Sequence, residues 1–102
     1  MPYLIQILLP LYDNAGNRFP EEAYTEVRSD LTDRFGGLTA YSRSPAEGLW
    51  ARGAQTKIDD IVVFEVMVQA LDRDWWRDYK QQLERLFRQD KLVLRAQSYE
   101  PI

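Results

Sequence analysis

IVVFEVMVQA, residues 61–70, is the stretch on which the fold turns. In an extended chain Val62, Phe64, Val66 and Val68 fall on one side, and Ile61, Val63, Glu65, Met67 and Gln69 on the other. β-Branched and aromatic side chains dominate the run, so it reads as the strongest strand of the chain. Neither side is polar enough to face open water, so both must be at least partly covered. Glu65 interrupts the apolar run near its middle and raises the question of what compensates a charge placed there.

Outward toward the C-terminus, Asp72 suits a helix N-cap, with Leu71 and Trp76 at the two positions of a hydrophobic staple. Trp75, Tyr79, Leu83, Leu86 and Phe87 then carry helical periodicity to about Gln89. Lys91 to Tyr99 alternates Leu92, Leu94 and Ala96 against Val93, Arg95, Gln97 and Tyr99, a final strand that Pro101 stops from pairing further.

Outward toward the N-terminus, Ser44 to Asp60 is long for a hairpin connection. It carries Pro45, Gly48 and Gly53, with Leu49 and Trp50 between them, and reads as an extended, partly stranded β-arm. Leu38 to Arg43 is a strand with Leu38, Ala40 and Ser42 on one face and Thr39, Tyr41 and Arg43 on the other. Gly36 and Gly37 precede it and follow the last periodic apolar residue of a helix from about Pro20 to Phe35, built on Ala23, Val27, Leu31 and Phe35. A phosphate-cradling loop would place its glycines after a strand and before a helix, and here that order is reversed. The glycines are a helix stop. "YDNAGNRFP", residues 12–20, is a turn-forming loop, and Tyr3 to Leu11 is an alternating first strand.

The order is β-α-β-β-α-β, which resembles the ferredoxin-like split βαβ: an α+β sandwich with a four-stranded antiparallel sheet and two helices on one face. The resemblance spans nearly all of residues 1–102, read as a single domain. One sheet face (Ile5, Ile7, Leu9, Leu38, Ala40, Phe64, Val66, Leu92, Leu94) is almost wholly apolar and should receive the helices. The other mixes Leu4, Leu8, Val63, Met67 and Val93 with Gln6, Tyr41, Arg43, Glu65, Gln69, Arg95, Gln97 and Tyr99. With that half-apolar second face the chain looks like the dimeric α/β-barrel group, in which two such sheets pack face to face. The resemblance implies a homodimer with room for a small apolar ligand between its sheets.

Composition removes many chemistries. Charged residues number 13 Lys plus Arg against 16 Asp plus Glu, for a net charge of −3, with the signs interspersed. No electropositive face for nucleic acid stands out. The chain has no cysteine and no histidine, which excludes disulfides, thiolate nucleophiles, imidazole-based triads, and His- or Cys-ligated zinc, iron and haem. The apolar runs Leu4 to Leu11 and Ile61 to Val68 fall far short of a membrane span, and no basic leader precedes an apolar segment, so a cytoplasmic location is expected. Asp59 and Asp60 lack the spaced oxygen ligands of a calcium loop, and neither metal nor cofactor is expected.

If the mixed face is covered, Glu65 should pair with Arg43 or Arg95. The leading function is then a small-ligand-binding or protein-interaction module, with Tyr41, Trp50 and Tyr99 as candidate ligand contacts. The alternative is a cofactor-free enzyme similar to the monooxygenases and isomerases of the dimeric barrel group, with Arg43, Glu65 and Arg95 as candidate catalytic groups. Many members of that group depend on a histidine, absent here. A third reading is an effector-binding regulatory module, since "YDNAGN" loosely resembles the Asp and Gly turn of amino-acid-binding domains of this topology. RNA binding would need aromatic and basic residues on the central strands, and an acylphosphatase-like site would need a glycine-rich anion loop with an arginine directly after the first strand; neither is present.

Overall fold

The computed structural model describes residues 1–43 and 61–102. The elements are β1 (Tyr3–Pro10), α1 (Glu21–Phe35), β2 (Thr39–Arg43), β3 (Ile61–Val68), α2 (Arg73–Leu86, entered in the chain after β3) and β4 (Val93–Ser98). The strands form one sheet in the order β2-β3-β1-β4, antiparallel at every pairing. The long connection read as a β-arm, with Trp50, Asp59 and Asp60, lies outside the described residues.

Alternation along the strands sorts the core. Ile5, Ile7 and Leu9 of β1 and Phe64, Val66 and Val68 of β3 are buried with Leu92 on one side of the sheet. They form one cluster with Ala23, Tyr24, Val27 and Leu31 of α1 and with Trp76, Tyr79 and Leu83 of α2. Both helices thus cover the apolar face that the alternation singles out. Ala40 stands in register with Phe64 on that face yet is exposed, because β2 is the edge of the sheet.

Local signals set the helix ends. The Asp72 carboxylate accepts the Trp75 backbone N–H at 3.1 Å, capping α2 as its position suggests. Pro20 is the N-cap of α1 rather than its first residue, and Glu21 and Glu22 occupy the positive end of the helix dipole. Gly36 closes α1 in the left-handed region at φ 88°, where a side chain would be strained.

The expected α2 continues to about Gln89, but the helix stops at Leu86 because Arg88 takes φ 49°. Past that end Arg88 reaches Asp13 Oδ2 at 3.4 Å, rather than Glu84 one turn back, and lies over the Phe19 ring. Glu84 instead accepts the Leu92 backbone N–H at 3.0 Å. That bond diverts Leu92 from the sheet, and β4 begins at Val93 rather than Lys91. The loop after β1 winds around Asp13, whose Oδ1 accepts the N–H groups of Ala15 and Asn17, with Gly16 at φ 86°.

Candidate binding face

The sheet face turned away from the helices is organised as rows running across the strands. Register places Gln6 of β1 beside Glu65 of β3 on one side and Arg95 of β4 on the other, with Thr39 of β2 beyond Glu65. One apolar row flanks this polar row, with Leu8 between Val63 and Val93. On the other side Leu4 stands between Met67 and Gln97. Met67 and Val93 are 63% and 50% exposed, the large apolar side chains that this face offers to solvent among the described residues. Val63 is buried on this same face, outside the helix-side cluster.

The polar row is hydrogen-bonded laterally. The Gln6 amide donates from Nε2 to Glu65 Oε2 at 2.7 Å, and its Oε1 accepts from Arg95 Nε at 2.8 Å. Gln6 thus spends both ends of its amide joining a carboxylate to a guanidinium across three adjacent strands. Glu65 and Gln6 are half-buried and Arg95 is exposed. Bonds of this kind, with one ionised partner each, are stronger than neutral ones.

The expected pairing of Glu65 with Arg95 is not direct. The order β2-β3-β1-β4 puts β1 between them, so Gln6 is the residue that links them. Arg43 stands in register with Ile61, four positions along β3 from Glu65, and Tyr41 with Val63 in the apolar row. Tyr99 lies beyond the end of β4, its N–H donated to the Pro2 carbonyl at 3.1 Å. Arg43 and Tyr99 are thus at opposite ends of the sheet, separated by about 27 Å at the rise of an antiparallel strand. The face brings Glu65 and Arg95 into one row and spreads Arg43, Tyr41 and Tyr99 along its length. Trp50 lies outside the described residues.

Sequence reading placed Gln6 on this face but not as the bridge. The available signal was positional: Gln6 interrupts the apolar run of β1 as Glu65 interrupts that of β3, and antiparallel register aligns the two interruptions.

Chemically, the row is a charge pair bridged by a neutral amide. Its hydrogen bonds point along the sheet rather than toward a substrate, so it is suited to being covered. Among the described residues no group of three or more Asp or Glu is placed to hold a metal ion, and no helix is long and apolar enough to cross a membrane. Comparison with protein-family models, with curated proteins and with solved structures finds no match to this chain.

Proposed function

We propose that this chain is a ferredoxin-like binding module that works as a homodimer, its mixed sheet face packed on that of a second copy in the manner of the dimeric α/β barrels. The observation that carries the reading is the row pattern: a laterally hydrogen-bonded polar row with apolar residues on either side. An isologous interface brings the same patch of both copies together, so each apolar row meets an apolar row about the two-fold axis. Burying a charge is costly unless it is hydrogen-bonded, and Gln6 supplies one such bond to each charged group within one subunit. Exposed Met67 and Val93 supply the apolar area that association removes from water.

The space between two twisted sheets is where a small apolar ligand would sit, framed by the Leu4 and Leu8 rows. Binding is preferred to catalysis because Glu65 and Arg95 are already engaged by Gln6, and the backbone positions of Tyr41, Arg43 and Tyr99 are spread along the sheet. Sedimentation velocity at micromolar concentration tests the proposal. A two-chain particle is expected, and a monomer overturns the reading.

A further inference from the structure

On the helix side of the sheet, α2 leaves an open groove of about 400 Å³ against β1 and β4. Ile5, Leu71, Trp76 and Leu94 form its apolar floor, and Arg73, Arg77 and Lys80 stand along its wall. We propose that this groove binds a small amphiphilic carboxylate, its apolar body on the floor and its head group held by the α2 cations.

The helical repeat explains how the cations come together. Positions 73, 77 and 80 are spaced i, i+4 and i+7, which sets them in one stripe about 10 Å long on the side of α2 that overlooks the groove. The stripe is a line of cations on a helix that also carries Asp74, Asp78 and Glu84.

Arg73 is the cation of this stripe most open to an incoming anion. Arg73 has no ion-pair partner among the described residues. Arg77 sits 3.2 Å from Asp74 and 3.8 Å from Asp78, carboxylates whose side chains are 82% and 74% exposed. Exposed pairs of that kind are worth little and exchange readily. Lys80 is 3.9 Å from Glu84, a partly buried carboxylate that also accepts the Leu92 N–H, so the lysine is the least free of the three. Arg95 lines the groove too, but its Nε is turned to Gln6 on the other face, so the head group falls to α2.

The floor decides against a purely ionic ligand. Buried Ile5 and Trp76 and half-buried Leu71 and Leu94 line it, and inorganic anions gain nothing from apolar side chains. The volume lies in the range of roughly 300–1,000 Å³ typical of small-molecule sites. A single arginine recognises a carboxylate in bidentate fashion, which gives the ligand a fixed orientation along the floor. The groove lies on the opposite side of the sheet from the proposed dimer face, so it does not depend on that reading.

Calorimetric titration with decanoate and with decanol tests the proposal. Saturable decanoate binding is expected, with decanol weaker by about tenfold for want of the charged head. Arg73→Glu combined with Arg77→Glu should erase the difference between the two ligands, and Ala96→Trp, which fills the groove, should weaken both. NMR shift mapping on the unaltered chain keeps the test independent of how the variants fold: perturbation should centre on the Trp76 indole, Leu94 and Ala96. Absence of saturable binding, equal affinity for the two ligands, or shifts centred on Leu4 and Met67 would overturn the proposal.

Discussion

Gln6 is a neutral residue whose position makes it the electrostatic joint of the open sheet face, since its amide serves Glu65 and Arg95 at once. Gln6→Leu keeps the side-chain bulk and removes both hydrogen bonds. Because the row is only partly buried, the expected loss is about 1 kcal/mol rather than the larger cost of stranding a fully buried charge. Urea denaturation measures it, and a midpoint equal to that of the unaltered chain would mean that water serves the two charged groups equally well. Asp13 offers a second test. The backbone N–H of Asn17, with further help from Ala15 and Arg88, holds its carboxyl below the ordinary 3.8. A carboxylate whose folded pKa is depressed contributes stability that is present above its unfolded pKa and is lost as pH falls through the folded one. Asp13→Asn should therefore flatten the decline in melting temperature below about pH 5, and an unchanged acid limb would rule this out. The anomaly of Glu65 was legible in the sequence because a charge inside a strand stands out against its neighbours. Its link to Arg95 was not, because it depends on β1 lying between β3 and β4, a long-range fact that alternation along one strand does not contain.

At the scale of elements, what was readable is what is local. The Asp72 cap and the Gly36 stop act within a few residues, and both stand where the sequence puts them. The ends that shifted are set by distant partners: Glu84 takes the Leu92 N–H, and Asp13 receives Arg88 once the chain has left α2. The helices are also joined to their surroundings by polar aromatic residues. The Tyr24 hydroxyl donates to the Pro10 carbonyl at 2.6 Å, and burial raises its pKa to about 12. Tyr79 donates to Asp30 at 3.2 Å, tying α2 to α1, and burial together with the nearby Asp30 charge pushes its pKa up. Where α1 ends, Phe35 stacks on Trp76 with the ring planes 8° apart, and the Arg34 guanidinium lies 4.4 Å from the Trp75 ring centre. The start of α2 is thus pinned by packing as well as by its cap. Asp72→Ala should cost about 1 kcal/mol in thermal unfolding, as lost N-caps do. A smaller loss, within a few tenths, would show that the aromatic contacts alone hold the first turn.

For the whole molecule, the two faces of the sheet have different fates, and the difference is testable without a ligand. The helix-side face is packed within one chain by residues of both helices. The opposite face keeps Met67 and Val93 in solvent beside a polar row already joined by lateral hydrogen bonds. If a second copy covers that face, folding and association are linked, and the melting temperature of the unaltered chain should rise with protein concentration. Met67→Lys combined with Val93→Lys separates the terms. In a single chain both positions are exposed enough that the change should stay within about 0.5 kcal/mol, the usual range for surface substitutions. In a face-to-face pair the same lysines would be desolvated and brought toward like charges across the two-fold axis. The double variant should therefore sediment as one chain, keep its secondary structure, and melt at a temperature independent of concentration. A double variant that still sediments as two chains would move the contact to another surface.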